Sequence, residues 1–255
     1  MLESTGFSFN GVSSSTLGLI NCKVSSGLFE EQFLSDIELN EVEIRGKETP
    51  YFQGIQRKPR EFDLTFAFED PYDDNKLRLV ARTFNVSIYC PLVFDDMPNI
   101  TYYCIPVDTS QLYHTGAKTG YITITFRCDS PYGYFTAATP TFYSATPTFS
   151  INNTGDITIK PEIEITKIGN GDIEIINITN NNQSLKFETL VDGEVLYVNC
   201  ETETIITDLA DVYRYSNKVG DDFIELLRGV NEFSTVGNAT IEFRYQCKVL
   251  QGTYT

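Results

Sequence analysis

The sequence predicts a mainly β protein with two domains, and three observations carry this prediction. Apolar and polar residues alternate with a period of two in many short segments, which is typical of strands with one buried face. Only one segment places apolar residues at helical spacing. A stretch rich in Thr, Ala and Pro near the middle of the 255 residues separates two regions of alternation.

The N-terminal domain is predicted to span residues 1–136 and to form a β-sandwich or a barrel-like sheet with one helix. Residues 61–68 place Phe or Leu at every second position, and residues 122–128 alternate Ile, Phe and Cys with Thr and Arg. Both patterns predict strands. The helix is predicted to follow Asp73–Asp74, a pair that can cap a helix start. Its apolar positions are Leu77, Val80, Ala81 and Phe84.

Residues 137–150 are predicted to be a linker, because they are rich in Thr, Ala and Pro and because proline cannot donate to a strand ladder. They repeat Ala-Thr-Pro-Thr-Phe at 138–142 and 145–149, too short a repeat for a solenoid. The C-terminal domain, residues 151–255, alternates again, most clearly over 239–246, between turns rich in Asn, Gly and Asp. This spacing of short strands and turns favours an antiparallel β-sandwich.

The charge of the chain argues against binding to nucleic acids or to membranes. Lys and Arg number 19 against 35 Asp and Glu, which gives a formal net charge of -16, and both halves share the acidic excess. A protein that neutralises phosphates or anionic lipids needs the opposite balance. The one basic cluster, Arg57, Lys58 and Arg60, is expected to be a solvated turn or the rim of a subunit contact, with an anion site as the alternative.

The cysteines and the N-terminal residues predict a protein that is made and folded in cytoplasm. Six cysteines are scattered without a Cys-x-x-Cys motif, so free thiols in a reducing compartment are expected. The first residues have neither the basic region nor the apolar run of a signal peptide. The sequence has no uninterrupted run of about 18 apolar residues, so membrane insertion is not expected.

No catalytic, cofactor or metal site is predicted. The single histidine, His114, stands in a predicted loop, and the sequence has no nucleophile-elbow motif. The densest carboxylate groups are Asp95–Asp96, whose adjacent side chains diverge, and residues 70–75, which do not have the ligand spacing of a calcium loop. We expect both groups to serve in turns and caps. Nucleotide-binding glycine loops and His–Cys metal spacing are absent from the sequence, so we expect a binding or architectural protein rather than an enzyme.

An ordered series of short segments resembles the distal tail protein family of long-tailed, siphovirus-type bacteriophages. The order of the segments over residues 7–134 is the specific part of the resemblance. In the C-terminal half the match is looser and rests on Asn153–Gly155, a strand led by Pro161, and Leu226–Asn231. The N-terminal segments are Phe7–Gly11, Leu17–Ile20, Glu41–Gly46, Pro50–Gly54, Arg60–Leu64, Leu77–Leu79, Pro91–Pro98 with Tyr102–Tyr103, and Ile122–Tyr134.

The resemblance implies a structural protein of the tail tip, or baseplate hub, with a ring-forming N-terminal domain and a galectin-like C-terminal β-sandwich. It implies a homo-hexameric ring around the DNA channel, through which DNA passes without specific binding. The implied partners are the major tail tube protein, the tail-associated lysin or fibre protein and, as a further candidate, the tape measure protein. The implied location is the virion tail tip, after assembly in the cytoplasm of the bacterial host.

The predicted subunit contact is an arm within residues 25–55, and its candidate interface residues are Gly46, Tyr51, Phe52 and Gly54. Glycines and prolines in this region are spaced to bend an extended segment away from a compact sheet. Two adjacent aromatic residues are more stable when buried against a partner than when left in water. The alternative is that Tyr51 and Phe52 pack into the core of their own domain.

Two other functions remain as alternatives. The C-terminal sandwich could bind host cell-wall polysaccharide, for which a concave face with two or three exposed Tyr or Phe would be the sign. The chain has 15 Tyr but no Trp, the best stacking platform for a sugar ring. A glycan-cleaving or peptidase enzyme would need two carboxylates, or His114 with a partner, converging in one cleft.

Overall fold

The computed structural model describes residues 4–22, 33–143 and 148–251. The described chain divides into two compact units. The N-terminal unit runs to Tyr134 and includes Leu250 and Gln251, while the C-terminal unit takes residues 135–249. Among the described residues, no helix has both the length and the apolar character needed to cross a membrane.

The N-terminal unit is built from antiparallel strands and two helices. The strands are β1 (Phe7–Phe9), β2 (Val12–Ser13), β3 (Leu19–Cys22), β4 (Ile37–Val42), β5 (Tyr51–Arg57), β6 (Glu61–Phe68), β7 (Cys90–Phe94), β8 (Ile100–His114) and β9 (Gly120–Cys128), and the helices are α1 (Ser14–Leu17) and α2 (Asp74–Phe84). A short strand, β10 (Gly133–Phe135), spans the boundary between the units. One sheet contains the order β2-β1-β7-β8-β9-β6-β3, and β4 and β5 form a separate hairpin.

The alternation along β6 builds the core of this unit. The Phe and Leu residues of β6 are buried, while the residues between them are exposed or half-buried. The ring of Phe66 stacks on those of Phe7 and Phe84, with ring centroids 4.4 and 5.6 Å apart. Aromatic pairs of this kind add to the stabilisation that comes from their buried area. The predicted strands at residues 61–68 and 122–128 are confirmed as β6 and β9, which pair with each other.

Helix α2 is the predicted helix, and Asp73 caps it. The Asp73 Oδ1 atom accepts a hydrogen bond of 2.7 Å from the backbone N–H of Lys76, which satisfies one of the donors left unpaired at a helix start. Val80 and Phe84 are buried, whereas Ala81, predicted to lie on the apolar face, is exposed. The helix therefore buries a narrower face than the spacing predicts. Helix α1 was not predicted, because a single turn is too short to show apolar periodicity.

Arg60 is a buried residue, which the sequence did not predict. Its side chain is 1% exposed, and its guanidinium carbon lies 5.9 Å from the ring centroid of Tyr102. Nη1 donates to Gln251 Oε1 at 2.6 Å, and Nη2 donates to the backbone oxygen of Leu250 at 2.7 Å. The expectation of a solvated basic cluster is wrong for this residue, since its charge is held inside the unit by the returning C-terminal segment.

The C-terminal unit is an antiparallel sandwich. Its strands are β11 (Thr141–Tyr143), β12 (Thr148–Asn153), β13 (Glu162–Lys167), β14 (Gly171–Asn177), β15 (Gln183–Leu190), β16 (Val195–Asn199), β17 (Thr204–Thr207), β18 (Lys218–Val219), β19 (Gly229–Val236), β20 (Ala239–Arg244) and β21 (Lys248–Val249), with a short 3-10 helix at Tyr215–Asn217. One sheet has the order β11-β20-β13-β16-β17, and the other has the order β12-β19-β14-β15-β18. Apolar residues of both sheets form one buried core, so the predicted antiparallel sandwich is confirmed.

The segment predicted as a linker, residues 137–150, contributes strands to this sandwich instead. Phe142 on β11 and Phe149 on β12 belong to different sheets, and their rings stack with centroids 4.0 Å apart. Each copy of the short repeat thus supplies one edge strand and one aromatic ring to the core. Pro140 precedes β11, and its carbonyl accepts a hydrogen bond from the backbone N–H of Phe243. A proline at the start of an edge strand removes no ladder hydrogen bond.

Two of the three C-terminal segments of the resemblance, Asn153–Gly155 and Leu226–Asn231, lie in contact. Asn153 is buried, and its Nδ2 atom donates to the backbone oxygen of Leu226 at 3.1 Å. Its Oδ1 atom accepts from the backbone N–H of Gly155 at 3.0 Å. Asn231 is also buried, accepts from the N–H of Leu227 and donates to its carbonyl. Buried amides that are paired in this way fix the loop between β18 and β19 against β12.

Candidate assembly surface

The candidate interface residues lie on a hairpin that is separate from the main sheet of its unit. Strands β4 and β5 pair with each other and with no other described strand. The base of the hairpin is closed by a hydrogen bond of 2.8 Å from the backbone N–H of Lys58 to the carbonyl of Asp36. Both predicted glycines belong to the hairpin: Gly46 to its turn and Gly54 to β5. The predicted arm also includes residues 25–32, which lie outside the described residues.

A β-bulge in β5 decides which side chains share a face. Asn40 is paired with Gly54 and Glu41 with Phe52, so Gln53 opposes no residue of β4. Gly54 has a φ of 145°, and an added Cβ would meet no atom within 4 Å. Backbone conformation rather than space therefore requires glycine at this position.

The bulge adds Phe52 to a face of the hairpin that already carries Ile37, Leu39 and Ile55, together with the charged residues Glu41 and Arg57. Phe52 and Ile55 are three residues apart, and in a regular strand they would point to opposite faces. The extra residue puts Phe52 opposite Glu41 and leaves Ile55 opposite Leu39, and these two partners share a face. We call this the hairpin face; each member is at least 45% exposed. Its members are Ile37, Leu39, Phe52 and Ile55.

Tyr51 lies on the opposite face, where it is paired with Val42. The Nζ atom of Lys47 is 3.3 Å from the centroid of the Tyr51 ring, which is a cation–π contact. Gly46, with a φ of 89°, lies in the turn that brings Lys47 to this position, and the Lys47 N–H donates to the carbonyl of Ile44 at 3.0 Å. Of the two predicted aromatics, only Phe52 is therefore on the apolar face.

Tyr51 and Phe52 are 51% and 64% exposed, so the alternative that both pack into the core of their own domain is wrong. Sequence reasoning missed Ile37, Leu39 and Ile55 as surface residues. The signal available was the alternation of Ile37 and Leu39 with Glu38 and Asn40, which resembles that of a half-buried strand. An isolated two-stranded hairpin is marginal in water, and an exposed apolar face on it is typical of an interaction surface.

The other residues weighed as chemical candidates do not meet in a site. His114 is exposed, with Nδ1 3.3 Å from the backbone oxygen of Thr115. Asp73 serves as the cap of α2, and the backbone N–H of Asp95 donates to the carbonyl of Gly6. Among the residues that the structure describes, no group of three or more His, Cys, Asp and Glu is placed to hold a metal ion.

Comparison with known proteins gives three findings. A family model described as a phage tail protein N-terminal domain matches residues 2–130, and a phage tail C-terminal domain model matches residues 132–245. The SPbeta prophage-derived uncharacterized protein YomH of Bacillus subtilis (strain 168) is 32% identical over 251 residues, covering 97% of this chain and 99% of the relative. The crystal structure of the Dit protein of phage SPP1 superposes with a TM-score of 0.70 at 16% identity, covering 94% of this chain and 98% of that one. Dit is described as a paradigm of the hub adsorption apparatus in phages that infect Gram-positive bacteria.

Proposed function

The chain belongs to the family of phage tail proteins defined by these two domains, and we propose that it is the structural hub at the tip of the tail tube. The two phage tail domain models support a tail role, and the shared fold supports a role like that of Dit. The observation that carries the proposal is the exposed hairpin face, because a hub must join copies of itself and a tail protein with such a surface is suited to assembly.

We infer that six copies close a ring through the N-terminal domain, residues 1–136, with the hairpin of one subunit packing on its neighbour. Ring closure requires a heterologous contact, in which one surface patch meets a different patch on the next copy. A hairpin that is separate from the main sheet supports this kind of contact, since it presents exposed apolar side chains and two strand edges that pair with no other described strand. Gly46, Tyr51, Phe52 and Gly54 remain the proposed interface residues, with Phe52 at the centre.

The acidic charge of the chain supports the proposed DNA channel. A ring of six chains with a formal charge of -16 each repels phosphates, so DNA can pass without being held. The proposed neighbours are the major tail tube protein on one side and the tail-associated lysin or fibre protein on the other, with the tape measure protein as a further candidate. The proposed place of assembly is the host cytoplasm, and no enzymatic role is proposed.

The experiment that tests the ring uses the full chain and a hairpin-deleted variant. Because Asp36 and Lys58 are hydrogen-bonded at the hairpin base, residues 37–57 can be replaced by an Asn-Gly turn that closes the chain without strain. Light scattering should give about 173 kDa for six wild-type chains of 28.8 kDa, and one chain mass for the variant. Negative-stain images of the wild type should show rings.

The control is Ile88→Ser, which removes an apolar side chain that is 70% exposed and lies outside the hairpin. It should leave the ring intact, and all three proteins should melt cooperatively. A wild-type protein that stays monomeric at micromolar concentration contradicts the ring. A hairpin-deleted variant that still forms six-chain rings places the contact elsewhere.

A further inference from the structure

A cleft of about 440 Å³ opens on the C-terminal sandwich, where loops between strands converge. It is lined by Glu203, Tyr215, Lys218, Gly220, Asp221 and Phe223. Glu203 belongs to the turn between β16 and β17, and the other residues follow one another around the 3-10 helix and β18. This volume is in the range of small-ligand sites. Nothing in the hub role requires such a cleft.

Two aromatic residues, Tyr215 and Phe223, line the cleft. Tyr215 is 52% exposed, and its hydroxyl oxygen accepts a hydrogen bond of 3.0 Å from the backbone N–H of Ile205. This hydrogen bond fixes the ring while leaving much of it open to the cleft. Phe223 is partly buried and packs against the core of the sandwich. An exposed aromatic ring beside polar groups can stack on the C–H face of a sugar.

The cleft contains a hydrogen-bond donor side chain, Lys218, and two carboxylate acceptors, Glu203 and Asp221. The Nζ atom of Lys218 lies 4.4 Å from the Phe223 ring centroid and donates to the carbonyl of Gly220 at 2.6 Å. Burial lowers the pKa of Lys218, although the nearby carboxylates oppose this effect. Glu203 and Asp221 are exposed and contribute carboxylate acceptors. With two carboxylates and one ammonium among its lining residues, the cleft disfavours an anionic ligand.

The segment that carries Tyr215 is held in place before any ligand arrives. Arg214 donates two hydrogen bonds of 2.8 Å to the buried carboxylate of Glu194, one from Nε and one from Nη2. Asn217 Nδ2 donates to the backbone oxygen of Glu188 at 3.1 Å. Strand β18 then pairs with β15. A cleft that is already ordered loses less conformational entropy when it binds a ligand.

From this arrangement we propose that the cleft binds a neutral or amino sugar unit of a cell-surface polysaccharide. A pyranose presents a C–H face for Tyr215 and hydroxyl groups that can donate to Glu203 and Asp221 and accept from Lys218. An amino sugar adds an ammonium group that the two carboxylates attract. A phosphate-rich polymer is the poorer ligand, because the acidic lining repels it.

The test uses the full chain and four monosaccharides, glucose, galactose, glucosamine and N-acetylglucosamine, with glycerol phosphate as the anionic comparison. Saturation-transfer NMR should detect binding of at least one sugar in the millimolar range and none of glycerol phosphate. Tyr215→Ala should weaken that binding about tenfold, the loss expected when about 1.4 kcal/mol of stacking is removed. Tyr213→Ala is the matched control, because Tyr213 is 82% exposed and does not line the cleft.

Two further variants keep the test decisive where Tyr215→Ala disturbs the loop. Glu203→Gln and Asp221→Asn preserve side-chain shape on exposed residues and should each weaken the binding of the amino sugar several-fold, with an unchanged thermal melt. The proposal is overturned by the absence of transfer from all four sugars, by stronger binding of glycerol phosphate, or by a folded Tyr215→Ala variant with wild-type affinity. These readouts do not depend on ring formation.

Discussion

The rings of Phe142 and Phe149 stack across the C-terminal sandwich with their centroids 4.0 Å apart and an interplanar angle of 16°. Phe149 also stacks on Phe233 at 5.1 Å. The short repeat therefore belongs to the core. Phe149→Ala should lower the free energy of unfolding by about 2–4 kcal/mol, less than a fully buried Phe because the ring is only partly buried. Urea titration measures this, with Tyr213→Ala as an exposed control.

A change below about 0.5 kcal/mol, the range of ordinary surface substitutions, would mean that the segment behaves as a linker in solution. A double-mutant cycle with Phe142→Ala should give a coupling of about 0.5–1.5 kcal/mol, because the two rings are in direct contact.

Because the buried Arg60 donates hydrogen bonds to Leu250 and Gln251, we expect the C-terminal residues to stabilise the N-terminal unit. Deleting residues 250–255 removes both acceptors of the buried guanidinium. Leaving a buried charge without its partners should cost about 3 kcal/mol, measured as a loss of stability in the unfolding transition of the N-terminal unit. In an Arg60→Met background the same deletion should cost much less, since no buried charge is left. Equal costs in the two backgrounds would show that Arg60 does not hold the C-terminal segment.

Because Glu194 forms a buried ion pair with Arg214, we expect the stability of the C-terminal unit to depend on pH. Burial alone raises the pKa of Glu194, but hydrogen bonds from Arg214, Val191 and Thr207 outweigh it and hold the pKa below its usual value. A carboxyl whose pKa is lowered in the folded state stabilises the protein above the unfolded pKa of about 4.3, and this contribution is lost as pH falls through the folded pKa.

Stability of the C-terminal unit should therefore fall more steeply below about pH 4 in the wild type than in Glu194→Gln. Arg214→Met should cost about 3–5 kcal/mol near neutral pH, because it leaves a buried carboxylate without its partner. Urea midpoints measured across this pH range give both results. A Glu194→Gln variant with the same acid dependence as the wild type would assign that dependence to other carboxyls.

The six cysteines are predicted to stay reduced, and the structure describes all six as free. Cys104 lies directly opposite Cys90 on one neighbouring strand and Cys128 on the other. Burial raises the pKa of the Cys128 and Cys200 thiols to about 12, so little reactive thiolate forms at neutral pH. Alkylation of the denatured protein should give six modified thiols by mass spectrometry, and alkylation of the native protein should spare the five buried ones. Fewer than six after denaturation would reveal a disulfide.

Local patterns predicted β6 and α2, because alternation and helical spacing depend only on residues next to each other in sequence. The burial of Arg60 and the strand at Phe142 could not be read in this way, since both depend on partners about a hundred residues or more away. Gly54 was predicted as a bend, but its effect on Phe52 depends on the register with β4. The cleft beside Tyr215 could not be predicted from local patterns, because its lining residues belong to separate loops that meet only in the folded chain.

The two faces of the hairpin make the sharpest prediction about assembly. Phe52 lies on the apolar hairpin face, while Tyr51 lies on the opposite face under Lys47. If the hairpin face packs on a neighbouring subunit, Phe52→Ser should lower the fraction of rings far more than Tyr51→Ser. Both side chains are exposed in the single chain, so neither change should alter its melting temperature by more than a surface substitution does. Native mass spectrometry at several protein concentrations gives the ring fraction for each variant. Equal losses would mean that both faces are buried in the ring, and an intact ring in Phe52→Ser would remove the hairpin face from the contact.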